Sequence, residues 1–136
     1  ALAMLMMTAG NRAPPRVYAE GQVWEYKTRP QDTGSLMMIQ RIESVRVGDG
    51  STNIYHISVV GLKFAARNAP TEIGHLPVSR ETLDASVTFL SSQRPIFPDA
   101  GPGIAEWRNA NGGVFTIPLN QIVETVEGML ARQSQS

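Results

Sequence analysis

The sequence predicts an α+β fold, in which an antiparallel β-meander of three to five strands carries two or three helices on one face. The first half of the chain contains alternating apolar segments that are joined by short turns. Short connections between consecutive strands favour antiparallel pairing. The second half instead contains apolar residues at helical spacing. A chain of 136 residues is long enough for one domain and too short for two.

The first three strands are predicted between residues 23 and 62. Segment 23–28 is rich in strand-forming residues and alternates in polarity. Segments 35–45 and 53–62 alternate in the same way, and turn compositions over 29–34 and 48–51 separate the three. Both faces of 53–62 are mostly apolar, so we place this strand in the centre of the sheet.

The fourth strand and the first helix are predicted next to each other. A short strand over 73–78 contains Pro77, which has no backbone N–H to donate, so we expect it at an edge of the sheet. Ser79 is a good N-cap, and apolar residues follow it at helical spacing. These features predict a helix over about 80–91.

Two further helices are predicted near the C-terminus. A short helix over 104–110 is followed by two glycines, which are typical of a helix end. Pro118 suits the first turn of a helix, and the clearest apolar stripe of the chain follows it, so we predict a helix over 118–132 with its stripe in the core. Segment 114–117 is apolar and short enough to be a strand.

The N-terminal segment has the layout of a secretory signal. Residues 1–10 are apolar and uncharged, and they are too few to span a bilayer, which takes about 20 residues. A polar, proline-rich stretch follows, with small residues suited to cleavage after Gly10. Residues 5–10 also resemble the segment before the lipidated cysteine of a bacterial lipoprotein, although Asn11 occupies the cysteine position. We therefore expect an exported, periplasmic protein; the alternative is a cytoplasmic protein whose first residues pack on the domain.

The chain is accordingly divided into three parts. Residues 1–20 are the candidate signal and linker, 21–132 form a single α+β domain, and 133–136 form a tail. The linker assignment for residues 11–20 rests on two adjacent prolines, which favour an extended backbone.

Composition excludes several classes of function. Lys plus Arg and Asp plus Glu number 12 each, so the chain lacks the basic charge that is typical of nucleic-acid-binding domains. Cysteine is absent, which excludes a disulfide framework and a thiolate zinc site. We find no zinc-protease motif, no serine nucleophile elbow and no phosphate-binding loop. The sequence therefore predicts no metal, no cofactor and no transmembrane span.

The two histidines are the only residues for which the sequence gives a reason to propose a catalytic role. His56 alternates with apolar residues on its strand, which favours a half-buried, hydrogen-bonded role. His75 lies beside Gly74 in the predicted edge strand, so it is the better candidate for an exposed functional group. An enzyme without a recognisable motif would use His75 or His56 together with a carboxylate.

Candidate partner-binding residues lie mostly in the second half of the chain. The irregular stretch over 91–103 contains three prolines and can present side chains to a partner. Trp24 and Tyr26 share a strand face, which favours the core over an exposed aromatic platform. The predicted partner-binding residues are His75, Arg94, Phe97, Asp99 and Trp107.

Five segments together resemble a family of small uncharacterised bacterial proteins. The segments are 21–30 (GQVWEYKTRP), 54–58 (IYHIS), 73–79 (IGHLPVS), 82–87 (TLDASV) and 113–118 (GVFTIP). The resemblance covers roughly residues 20–130 and implies a self-contained domain, to which the N-terminal segment is a targeting addition. It implies no catalytic residues.

The function predicted from the sequence is protein binding. We expect a small exported inhibitor or immunity-type factor that acts through contact with a protein partner. Two alternatives remain: a cytosolic domain with an unknown partner, and an enzyme that uses His75 or His56.

Overall fold

The computed structural model describes residues 16–135, which form one sheet and three helices. The strands are β1 (Val23–Tyr26), β2 (Leu36–Val47), β3 (Gly50–Val60), β4 (Glu72–Val78) and β5 (Val87–Ser91). The helices are α1 (Arg80–Ser86), α2 (Gly101–Asn109) and α3 (Leu119–Gln135), with a short 3-10 turn over Pro30–Asp32. The predicted α+β class with an antiparallel sheet is confirmed.

The strands follow the order β4-β3-β2-β1-β5, and every neighbouring pair is antiparallel. The four strands predicted from alternation are all present. β4 lies at an edge, as the proline at position 77 predicts. β3 has neighbours on both sides, although the middle strand is β2.

The predicted helix over 80–91 is wrong in its second half, because residues 87–91 form β5. Ser79 caps α1 as expected, since its hydroxyl accepts a hydrogen bond from the Thr82 N–H. Val87 then takes an extended conformation and pairs with Tyr26. A run of β-branched and aromatic residues fits a strand as well as a helix, and pairing with β1 decides between them.

One face of the sheet, which we call the core face, packs against α1 and α3. Tyr55, Ile57 and Val59 of β3 lie there, fully or almost fully buried. The two helices contribute Leu83, Leu119, Ile122 and Val123. The predicted apolar stripe of the last helix and the predicted burial of Trp24 and Tyr26 are confirmed.

Residues before β1 also belong to the folded domain. Tyr18, which falls in the predicted linker, packs its ring edgewise against Trp24 and Tyr55, with centroid separations of 5.8 and 5.6 Å. Its hydroxyl donates to the Asp84 carboxylate of α1 over 2.5 Å. The packed domain therefore reaches at least to residue 18. The predicted signal over residues 1–10 lies outside the described residues.

The remaining predicted elements show smaller differences. The short helix predicted over 104–110 is α2, which begins three residues earlier, and segment 114–117 makes only a single bridge, between Phe115 and Val78. No helix in the described part of the chain combines the length and the apolar character that crossing a bilayer requires.

Candidate functional site

The face opposite the core face, which we call the second face, is covered by residues 92–109. This 92–109 segment consists of the irregular loop after β5 and of α2. The Pro98 carbonyl accepts a hydrogen bond from the Gln40 amide over 2.6 Å, and the Ser58 hydroxyl oxygen lies 3.3 Å from it. The Ala100 N–H donates to Gln40 over 3.0 Å. The start of α2 is thus attached to β2 and β3 through polar contacts.

A β-bulge in β2 turns an acidic side chain toward the second face. Ile39 pairs with Ile57 and Arg41 pairs with His56, so Gln40 is an extra residue on β2. Strict alternation would place Glu43 on the same face as Ile39. The bulge reverses the alternation, and Glu43 therefore lies beside His56.

A second irregularity, in β4, brings His75 to the same place. Leu76 pairs with Ile57 and Ile73 pairs with Val59, so two residues of β4 face one residue of β3. The Gly74 carbonyl accepts a hydrogen bond from Ser58 over 2.6 Å. The neighbouring His75 ring then reaches His56. Bulges are common beside functional sites, because they redirect single side chains.

Four side chains form a hydrogen-bonded chain, which we call the histidine cluster. His56 Nδ1 and His75 Nε2 are 2.8 Å apart, and His56 Nε2 lies 3.1 Å from Glu43 Oε1. Arg108 of α2 donates to the same carboxylate oxygen over 2.6 Å. His56 is fully buried, whereas His75 is half-buried at the outer end of the chain.

The chain of contacts assigns the protons of both rings. Desolvation raises the pKa of Glu43, but hydrogen bonds from His56 and Arg108 outweigh it and lower that pKa below its ordinary value. An ionised Glu43 accepts a hydrogen bond from His56 Nε2–H, so the neutral His56 ring accepts a hydrogen bond at Nδ1 from His75 Nε2–H. His75 Nδ1 then carries the free lone pair.

Both histidines are neutral at pH 7. Burial, which is the larger cause, and the charge of a protonated His56 together lower the pKa of His75 to about 4. Burial also lowers the pKa of His56, against the opposing effect of Glu43. The cluster can pass a proton between His75 and Glu43, but the low pKa makes His75 a weak base at neutral pH.

α2 packs directly on the two rings. Trp107 meets the His56 ring edgewise at a centroid distance of 5.0 Å, and its indole N–H donates to the Gly113 carbonyl over 2.9 Å. A Cβ atom added at Gly103 would lie 2.4 Å from the Cβ of His75. Only glycine therefore allows the first turn of α2 to approach this closely. A cavity of about 300 Å³ opens at the other end of α2, lined by Trp107, Arg108, Asn111 and Gly112.

The structure divides the five predicted partner-binding residues into two groups. His75 and Trp107 both contact His56, so they meet in the histidine cluster. Arg94, Phe97 and Asp99 lie in the loop and do not join them.

The loop residues themselves differ in exposure and role. Arg94 is exposed and donates to the backbone carbonyls of Ser91 and Gln93. Phe97 is half-buried, and its neighbour Ile96 is instead 95% exposed. The Asp99 carboxylate accepts from the Gly101 N–H over 2.9 Å, which helps to start α2.

Sequence reasoning missed Glu43 and Arg108 in the cluster. An acidic residue on a strand and a basic residue on a short helix are ordinary surface residues by pattern. Only the bulge in β2 and the position of α2 show that they meet His56. The one available signal was the polar side chain of His56 between the apolar residues Tyr55 and Ile57.

An exposed apolar surface lies at the opposite edge of the sheet from β4. β5 pairs only with β1 among the described strands, so its outer edge has no neighbouring strand there. Phe89 and Leu90 of β5 are 70% and 58% exposed. We call these two side chains, together with Ile96, the β5 surface. Phe89 and Leu90 are adjacent in β5, and adjoining exposed apolar side chains are typical of an interaction site.

The described residues contain no group of three or more side chains arranged to hold a metal ion. Comparisons with protein-family models, with curated proteins and with solved structures found no match for this chain. The resemblance to a bacterial family therefore stays a prediction, and the functional proposal rests on the geometry of the chain itself.

Proposed function

We propose that the protein binds a protein partner through the β5 surface. The observation that carries the proposal is the open edge of β5, whose two central side chains are apolar and more than half exposed. Natural sheets usually protect such edges, because unpaired backbone groups pair readily with another chain. The other edge of this sheet is protected: Pro77 lacks a donor, and Phe115 bonds to the Pro77 carbonyl over 3.0 Å.

The partner contributes an extended segment that adds to the sheet as a sixth strand beside β5. Backbone hydrogen bonds supply the pairing in this mode of recognition, and alternate side chains supply selectivity. Phe89 and Leu90 are both exposed on β5, so an apolar partner residue gains contact with either side chain. Arg94 forms no ion pair among the described residues. An acidic partner residue near Arg94 would therefore complement the surface.

Site-specific crosslinking tests this proposal. A photoreactive phenylalanine analogue is placed at position 89 or 96, and the protein is irradiated in the cells that naturally produce it. Position 47 is the matched control, because Val47 is 61% exposed at the far end of β2. We expect one crosslinked protein at positions 89 and 96 that is absent at 47. The same products at all three positions, or none at position 89, would contradict the proposal.

The proposal extends to an exported inhibitor or immunity-type factor. Its support is the small size of the chain, the absence of a catalytic motif from the sequence, and the signal-like composition of residues 1–10. Mass spectrometry of the protein from fractionated cells tests export. We expect a periplasmic form that begins after Gly10, whereas a cytoplasmic form that retains residues 1–10 would contradict it.

The histidine cluster favours a second candidate function, acid–base chemistry at His75. A carboxylate behind a histidine holds its tautomer in many catalytic sites, and Glu43 holds that of His56 in the same way. Hydrolysis of p-nitrophenyl acetate at pH 7 is a simple probe. We expect the wild type to release p-nitrophenol faster than the His75→Ala variant, and equal rates would contradict this function.

A further inference from the structure

We propose that the histidine cluster is an acid-sensitive switch that controls the position of the 92–109 segment, and with it the β5 surface. The inference rests on the proposed function, because Ile96 belongs to both the segment and the β5 surface. In the neutral state the segment lies on the second face. When both His56 and His75 take up a second proton and become positively charged, the segment detaches.

Hydrogen bonds and ring contacts attach the segment to the sheet at two places along its length, and Ala100 and Ile104 are buried between them. The first is near the start of α2, where the Gln40 amide donates to the Pro98 carbonyl and accepts from the Ala100 N–H. The second is the histidine cluster, where Trp107 packs on His56 and Arg108 bonds to Glu43. The chain enters the segment directly from β5, so loss of the second attachment frees α2 while β5 stays paired.

Only one hydrogen can lie between the two ring nitrogens that form the hydrogen bond. His56 Nδ1 and His75 Nε2 are 2.8 Å apart, so one nitrogen must donate and the other must accept. When both rings are protonated, both nitrogens carry hydrogen and both rings are positive. The contact then becomes repulsive, and the two rings must separate.

Charges around the pair make the doubly protonated state still less favourable. Glu43 and Arg41 act on His56 from β2, and Arg108 acts on it from α2. His56 is in turn the charged group that acts on His75. Glu43 already pairs with Arg108, so one carboxylate must offset two guanidinium groups as well as the added protons. Separating α2 from the sheet relieves this excess of positive charge.

The close packing of α2 makes separation of the rings a movement of the whole helix. Gly103 leaves no space above His75, and Trp107 covers the buried ring of His56. His56 is fully buried beneath Trp107, so a charge on its ring reaches solvent only when α2 moves. Burial lowers the pKa of both rings, so the transition lies on the acid side of neutrality.

Hydrogen exchange of backbone amides, measured on the full chain without a partner, tests the switch. We expect the protection of α2 to fall about tenfold between pH 7 and pH 4.5, after correction for intrinsic rates, while α3 keeps its protection. Glutamine can form hydrogen bonds but does not titrate in this range, so the His56→Gln/His75→Gln double variant should lose the pH dependence. Unchanged protection of α2 in the wild type, or the same fall in the double variant, would overturn the proposal.

A measurement on the unmodified protein covers the case in which the double variant does not fold. The imidazole carbon-bound proton signals of His56 and His75 are followed by NMR from pH 7 to pH 4. We expect their midpoint to coincide with the pH at which α2 loses protection. Histidines that titrate without any change in α2 would contradict the switch.

Crosslinking at two pH values separates this inference from the proposed function. At pH 7 both positions 89 and 96 should capture the partner, and at pH 4 only position 96 should lose it. Absence of crosslinks at pH 7 contradicts the proposed function and leaves the exchange result standing. Equal capture from both positions at the two pH values contradicts control of the β5 surface by the switch.

Discussion

The two faces of the sheet are held in different ways, although the same strand, β3, supplies both. On the core face, Ile57 and its neighbours pack against apolar side chains of α1 and α3. On the second face, His56 and Ser58 make directional hydrogen bonds to β2, β4 and the 92–109 segment. Apolar packing does not depend on pH, whereas a hydrogen-bonded histidine pair does. The core face therefore stabilises the fold independently of pH. The second face holds the 92–109 segment through contacts that respond to protonation.

The largest expected effect is on the core face. Ile57 is fully buried, so Ile57→Ala removes apolar contacts and leaves a cavity. We expect a loss of about 2–5 kcal/mol in the free energy of unfolding, equal at pH 7 and pH 5. Urea denaturation measures it, with Val47→Ala as the exposed control, for which we expect less than about 0.5 kcal/mol. If the loss of unfolding free energy in Ile57→Ala grew sharply at low pH, the core face would also depend on protonation, which would contradict the difference between the two faces.

The second-largest loss of stability is expected where α2 contacts the second face. Gly103→Ala places a Cβ atom against His75, so α2 must move away from the sheet. We expect a loss of about 1–3 kcal/mol, despite the better helix propensity of alanine.

Gly113→Ala is the matched control, because an added Cβ there meets no atom within 4 Å. Thermal unfolding of both variants compares them, and we expect the control to stay within about 0.5 kcal/mol of the wild type. Equal effects at the two glycines would show that α2 does not depend on close packing against His75.

The pH dependence of the free energy of unfolding is a further test of the difference between the two faces. The pKa of His75 is about 6.5 in the unfolded chain and about 4 in the folded one. The unfolded state therefore binds more protons between these values, and the free energy of unfolding falls as the pH is lowered from 6.5 toward 4.

Urea titrations at several pH values measure this dependence. Carboxylates also titrate near the lower limit, so the difference between the wild type and His75→Gln isolates the histidine. We expect a shallower loss of stability in His75→Gln, and parallel curves for the two proteins would contradict the assignment.

The smallest effect on stability is expected at the β5 surface, which belongs to neither packed face. Phe89→Lys replaces an exposed side chain, so we expect a change in the free energy of unfolding within about 0.5 kcal/mol. Crosslinking from position 96 should nevertheless be lost in this variant, because a charged residue disfavours strand addition at an edge. Unfolding of the variant would instead show that Phe89 is part of the core.

Particular residues show how much of the fold can be predicted from the sequence. Alternation correctly places Tyr55, Ile57 and Val59 on one buried face, and Pro77 correctly places β4 at an edge. Local hydrogen-bonding chemistry is sufficient for Ser79, which caps α1 as predicted. The predicted continuation of that helix beyond residue 86 fails, because residues 87–91 satisfy both periodicities and only pairing with β1 selects the strand.

The candidate site depends more strongly on tertiary structure. Composition and periodicity determined an α+β antiparallel sheet and its buried stripe, because these features repeat along the chain and act through local propensity and burial. They also marked the two histidines as candidates. The meeting of Glu43, His56, His75 and Arg108 was decided by two bulges and by the packing of α2. A bulge adds one residue to a strand, so every later side chain points to the opposite face of the sheet. The alternation of the sequence does not show where this happens, because the bulge is defined by pairing with the neighbouring strand.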